Sequence, residues 1–240
     1  SGSFSVRLCG GTGYKTPNVF DHIDPVSVYY PVAGLKAERS TGVNADINYH
    51  TIIKDKLSLQ IDQAIYYTGI ADPVTYLMNT NGMYSLTTGN YEVKSYGTDT
   101  YIRLKMEDVE LYFGYNHTNA IRQMTDKNVN VPFNPKDKIS ATLAYEIERK
   151  WRMGIELSEM ADQYIENDER VPNILFMAAM VERKFGDHIS LVLNCENLTD
   201  SRQSKYGPLY TGTITHPVFY SVWAPLEGRV VNLSLKWKLR

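Results

Sequence analysis

The strongest constraint on how this chain folds is an alternation of apolar and polar residues with a period of two, kept over most of its length. The final segment is the plainest case. Val231, Leu233, Leu235, Trp237 and Leu239 fall on one parity, and Asn232, Ser234, Lys236, Lys238 and Arg240 on the other. Ile139, Leu143, Tyr145 and Ile147 alternate with Ser140, Thr142, Glu146 and Glu148. Trp151, Met153, Ile155 and Leu157 alternate with Arg152, Gly154, Glu156 and Ser158. Leu57, Leu59, Ile61, Ile65 and Tyr67 keep the same rhythm, with Gln63 as the exception on the apolar parity. Successive side chains of a strand point to opposite faces, so a period of two builds a sheet with one apolar and one wet face. No window carries a long 3.6-residue stripe, and the chain is expected to be all-β.

The pattern and its Gly, Pro and Asn breakers predict about ten strands, near 4–9, 36–50, 56–68, 91–105, 109–120, 138–150, 152–163, 173–184, 189–198 and 229–239. Many exceed the ~5–6 residues usual in globular sheets and match the ~9–11 or more of a tilted membrane strand. The connections alternate in kind. Those near 51–55, 106–108, 150–151 and 185–188 are tight, whereas those near 10–35, 69–90, 121–137, 164–172 and 199–228 are long. Tight periplasmic turns alternating with long extracellular loops define an antiparallel up-and-down transmembrane β-barrel. The last strand then descends from outside and leaves Arg240 in the periplasm. The apolar parity faces lipid, and the polar parity faces a watery lumen.

Composition agrees and excludes other classes. With 25 Lys+Arg against 27 Asp+Glu, the charge of −2 gives no bulk attraction for nucleic acid. A hydrophobic share of 43% excludes intrinsic disorder. No run approaches the ~18 apolar residues of a membrane helix, and SGSFSVRLCGG lacks the layout of a signal peptide. The lone cysteines, Cys9 and Cys195, have no metal-ligand spacing and are expected to remain free thiols.

Candidate chemistry is sparse. GGTGYK (Gly10 to Lys15) lacks the spacing of a phosphate loop and precedes no helix pattern, so its glycines are expected to turn the chain at a strand end. Glu146 and Glu148, which share a predicted lumen face, and Glu156 and Glu159 are read as lumen wetting rather than an acid–base pair. His50 and His188 lie near tight turns. No catalytic set, cofactor site or metal site is predicted. The tyrosines divide by place. Tyr67, Tyr115 and Tyr145 suit the aromatic girdles at the two membrane interfaces. Tyr29, Tyr30, Tyr76, Tyr84, Tyr206, Tyr210 and Tyr220, with His22 and His216, lie in long outer loops and are the candidate ligand-contacting residues.

Both ends of the chain carry longer motifs. Arg7, Gly13, Tyr14 and Pro17 sit in VRLCGGTGYKTPNVF, Glu38 and Ser40 in LKAERSTGVNADINYH, and Asn197, Leu198 and Asp200 in NCENLTDSRQS. Trp223, Gly228 and Arg229 stand in WAPLEGRVVNLSLKWKLR. In order and content these elements resemble the C-terminal half of the barrel of TonB-dependent outer-membrane receptors. Glu227 stands where that family often has Pro, and the chain closes on Leu239-Arg240 rather than on an aromatic.

The resemblance implies a ~22-stranded barrel filled by an N-terminal plug, of which residues 1–240 would be the C-terminal barrel part. It implies a location in the outer membrane of a Gram-negative bacterium. The remaining strands, the plug, TonB acting through the absent N-terminal region, membrane lipid and a small-molecule cargo would be its partners. The cargo would be a scarce nutrient: a ferric siderophore, a cobalamin, haem or a glycan. Two other readings stand beside it. A self-contained ten-stranded outer-membrane enzyme would need a pairing between first and last strands and a carboxylate/histidine set. A soluble carbohydrate-binding β-sandwich would have to explain long strands and alternating loops.

Overall fold

The computed structural model describes residues 2–17, 29–30, 34–78 and 84–238. Ten long strands form one antiparallel sheet: β1 (Ser3–Lys15), β3 (Glu38–Ile53), β4 (Leu57–Ala71), β7 (Glu92–Met106), β8 (Val109–Gln123), β10 (Asp137–Ile147), β11 (Trp151–Ala161), β12 (Ile174–Phe185), β13 (Ile189–Glu196) and β16 (Val230–Trp237). Each pairs with its sequence neighbours in this order, so the topology is up-and-down throughout. The ten predicted strands are thus all present. The six others are short and sit in the outer loops: β2 (Tyr29–Tyr30), β5 (Val74–Met78), β6 (Tyr84–Thr88), β9 (Asn128–Asn130), β14 (Tyr210–Thr213) and β15 (His216–Phe219).

Turn chemistry fixes which end is which. Between β3 and β4, Lys54 and Asp55 take positive φ, as do Glu107, Arg149 and Gly186 in the three other tight turns. Every tight turn lies at one end of the sheet, and every long connection lies at the other. β1 and β16 are the two edges and do not pair with each other among the described residues. Among the described residues, the closing pair that a self-contained barrel requires is therefore not formed, and the other sheets are the short β14–β15 and β2–β6–β5 pieces rather than the second layer a sandwich would demand.

The register carries the alternation across the whole sheet. Directly opposed residues share a face, so Val6↔Ile47, Leu59↔Leu104, Leu111↔Leu143, Leu143↔Ile155, Val181↔Leu193 and Leu191↔Leu235 join into one continuous apolar band. That band is exposed on inner strands as well: Leu143 is 45% accessible and Leu193 48%. Only Leu86, Ala120, Val171, Ile174 and Ala224 are buried apolar residues among those described, and all lie at the loop end. A chain 43% hydrophobic with almost no interior has its apolar surface on the outside, which is the arrangement of a protein solvated by lipid.

Aromatic residues border the band. At the tight-turn end Trp151, Phe185 and Trp237 share the apolar face, and the Arg183 guanidinium lies 4.4 Å from the Trp151 ring centroid. A cation held over an indole at the interface keeps its charge near water while its stem lies along apolar surface. Tyr145 opposes Met153 near the same end, and Tyr67 opposes Tyr96 toward the other, as the girdle reading expects. Tyr115 also lies on this face, where its hydroxyl donates to Asp137 at 2.7 Å and the His117 ring sits against the same carboxylate.

The opposite face is polar and cross-linked strand to strand. Arg7 binds Asp46 at 2.8 Å across β1 and β3, and Gln60 donates to Asp62 at 2.8 Å, a carboxylate that Asn48 also reaches. Arg103 donates to Glu110 across β7 and β8. Glu182, buried at 7% exposure, accepts from Ser190 at 2.7 Å and from Lys236 at 3.3 Å, tying β12, β13 and β16. Cys9, on β1, faces this side and Cys195, on β13, the apolar side, and both are free.

Three sequence expectations change. Gly10, Gly11 and Gly13 run inside β1 opposite Val43, Gly42 and Ser40, so they extend the strand rather than turn it. An added Cβ at Gly13 would meet Ser40 Oγ at 2.8 Å, so the two motif residues fit each other. Glu148 falls in the turn, leaving Glu146 paired with Lys184 at 3.0 Å. Glu156 and Glu159 point to opposite faces of β11, because an odd separation in a strand cannot share a side.

One close approach leaves no room for a side chain. A Cβ at Gly97 in β7 would stand 1.9 Å from the His117 backbone oxygen and 2.8 Å from the Tyr66 hydroxyl. Gly97→Val is therefore expected to destabilise the folded barrel by about 1–3 kcal/mol, since backbone rather than a side-chain tip must move. Urea titration of the full-length protein in lipid measures this, with Gly11→Val, where nothing lies within 4 Å, as the tolerant comparison.

Candidate functional site

At the loop end, the β11–β12 connection (162–173) and the β13–β16 connection (197–229) meet around a cavity of about 400 Å³. The first connection is folded on itself. Tyr164 bridges to Arg170, Ile165 N donates to Glu169 O at 2.9 Å, and Val171 N donates to Gln163 O at 2.9 Å. Asp168, at positive φ, accepts from the Asn130 backbone at 3.1 Å and side chain at 2.9 Å. Those bonds to Asn130 hold its carboxyl below the ordinary carboxylate range.

The second connection is built on buried amides. Gln203, 3% exposed, accepts from Trp223 N at 2.9 Å and Ala224 N at 3.4 Å and donates to Ser221 O at 2.9 Å. Its own backbone N–H reaches Pro225 O at 2.8 Å. One side chain thus fixes the 221–225 segment against the short 3-10 turn Gln203–Lys205. Gln163 donates to Trp223 O at 3.4 Å and ties the two connections together. The result sets the Tyr206 ring 5.4 Å from Trp223, centroid to centroid, and Tyr220, Glu166 and Glu169 line the same cavity.

Beneath the cavity lies a clasp made from motif residues. Asn197, 3% exposed and at positive φ, donates to Ser201 O at 2.9 Å and Glu227 O at 3.0 Å and accepts from Ser201 N at 2.8 Å. Asp200 accepts from Lys205 at 2.8 Å and from Arg229 N at 3.3 Å. The Lys205 bond, foremost, with the charges of Arg202 and Lys205, lowers its pKa against the opposing cost of desolvation. The Arg229 guanidinium donates to Leu198 O at 2.8 Å. Gly228 is required here: a Cβ would stand 2.5 Å from Asp200 Oδ1. The Asn-Leu-x-Asp and Gly-Arg elements therefore join the ends of β13 and β16.

Of the candidate ligand-contacting residues, Tyr206 and Tyr220 line this cavity. Tyr210 packs on Phe219 at 6.1 Å within the β14–β15 hairpin, and His216 opposes Thr213 at the hairpin's end, so neither reaches the cavity wall. Tyr29 pairs with Tyr84 in the parallel β2–β6 contact, and Tyr76 opposes Leu86, which gathers two outer loops into one small sheet. His22 lies outside the described residues. Trp223, Gln203, Glu166 and Glu169 are the site residues that the sequence reading passed over. For Trp223 the signal was present but absorbed into the closing motif. No group of three or more ligating side chains that could hold a metal occurs among the described residues.

A single up-and-down sheet, apolar on one exposed face and ion-paired on the other, with a cavity among the long loops, is the arrangement of an outer-membrane β-barrel wall. The sequence profile described as "TonB dependent receptor-like, beta-barrel" matches residues 3–198. The chain belongs to the TonB-dependent receptor β-barrel family, a family of Gram-negative outer-membrane transporters rather than enzymes.

No curated protein sequence matches it. Among solved structures, the copper transporter OprC superposes with a TM-score of 0.70 at 13% identity, over 98% of this chain and 37% of that one. The FrpB iron transporter from Neisseria meningitidis gives 0.66 at 12% identity, over 98% and 37%. The pyoverdine outer-membrane receptor FpvA from Pseudomonas aeruginosa, bound to pyoverdine, gives 0.66 at 14%, over 98% and 34%. The chain thus spans about a third of the length of these receptors.

Proposed function

We propose that residues 1–240 form the C-terminal barrel part of a receptor that moves a scarce nutrient across the outer membrane, working with a plug domain, further strands and TonB. The observation that carries this reading is the built cavity at the loop end. Ordinary solvated loops have no need of a buried glutamine and a rim clasp to hold two aromatic rings in place, whereas a ligand surface does. The solved transporters of iron, copper and pyoverdine support the same direction, and a ferric siderophore, a cobalamin, haem and a glycan are the cargo classes in view.

The test uses the full-length receptor as the sole supplied transporter in an outer-membrane host. Accumulation of a labelled ferric siderophore, cobalamin, haem or oligosaccharide is expected to require TonB. Removing 209–220, which carries the β14–β15 hairpin above the clasp, is expected to lower uptake about tenfold while insertion, read by heat-dependent gel mobility, persists. Uptake that is independent of TonB would overturn the transport reading. Unchanged TonB-dependent uptake after trimming would place recognition in the plug or the other barrel half.

A further inference from the structure

The charge around the cavity is one-sided. Glu166 and Glu169 line it, and no Lys or Arg does. Neither carboxylate makes an ion pair among the described residues. The nearby cations are engaged elsewhere: Arg170 with Asp162, and Arg202 and Lys205 with Asp200. Asn167 donates to Glu169 at 3.1 Å. The same cavity is lined by Tyr206, Tyr220 and Trp223, and the face of an aromatic ring carries the negative lobe of its quadrupole. Rings and carboxylates therefore favour the same sign of charge, and they oppose an anion.

We infer that the group bound in this cavity is an organic cation, an ammonium or guanidinium seated between the aromatic rings and balanced by Glu166 and Glu169. This rests on the receptor reading and narrows it. Whatever cargo is carried, the part lodged here is positively charged, and an anionic chelate or carboxylate is repelled. A neutral polyol would have no use for two uncompensated charges. The volume of about 400 Å³ suits a group of one or two rings. Gln203 acts as a positioning residue, since it touches the cavity while its amide holds the backbone that carries Trp223.

The test measures binding to the purified full-length receptor in detergent by saturation-transfer NMR, with three probes of one shape: benzyltrimethylammonium, benzyl alcohol and benzoate. The cation is expected to bind about tenfold more tightly than either other probe and to weaken as salt rises. The double variant Glu166→Gln, Glu169→Gln should erase that preference with the fold intact, because both side chains are on the loop surface. Tyr206→Phe should keep it and Tyr206→Ala should lose it. Equal binding of all three probes, or a cation preference surviving the double variant, overturns the inference. Those outcomes leave TonB-dependent uptake untouched, so a failure here is distinct from a failure of the transport reading.

Discussion

Leu235→Arg in β16 is expected to cost about 2–4 kcal/mol of barrel stability, while Ser234→Arg, one residue away, costs far less. Leu235 opposes Leu191 on the exposed apolar band, and Ser234 opposes Val192 on the face that also carries Lys236 and Glu182. Hydrocarbon cannot solvate a guanidinium, whereas a wet lumen can. Chemical unfolding of the full-length receptor in lipid vesicles reads the difference. Equal costs would show that the two faces have been assigned the wrong solvents.

The rim clasp gives the second large effect. Asn197→Ala removes an amide that serves Ser201 and Glu227 and leaves their part-buried carbonyls without its N–H donors. It also forces a β-carbon without polar function into a left-handed backbone at φ 50°. A loss of about 2–3 kcal/mol is expected. The loss should be local, opening the 199–228 connection before the sheet, so limited trypsin should cleave after Arg202 and Lys205 while the strands stay protected. Asn197→Gly separates the contributions, because it relieves the backbone and still lacks the amide. If Asn197→Gly resists trypsin as well as the parent does, the hydrogen bonds are not what closes the clasp.

The readability of these features in the sequence follows their range. The ten long strands declare themselves because a period of two is local: each residue of Val230–Trp237 shows its face without reference to any other strand. Tight turns and long loops followed from the same breakers. β2 and β14 stayed hidden because two to four residues show no period at all. In the site, Tyr206 and Tyr220 were visible as loop aromatics, but Gln203 was not. A glutamine among polar loop residues has no pattern, and its partners lie 18 to 21 positions further on. Glu166 and Glu169 reach the cavity only because β12 and β13 bring their connection beside the next one.

Gln63, the one break in the apolar parity of β4, bears on the order of events by which the sheet enters the membrane. Its amide donates to Ala64 O at 3.1 Å and Asp99 O at 3.3 Å and also reaches Thr98, while Thr100 donates back to it at 2.6 Å. All but one of those partners belong to β7. Hydrocarbon offers the amide no substitute for them, and each missing bond there costs several kcal/mol. β4 inserted alone would keep only the bond to Ala64; β4 paired with β7 carries the same amide with its bonds to Thr98, Asp99 and Thr100 made. The polar exception thus ties the cost of placing β4 in the membrane to its pairing with β7.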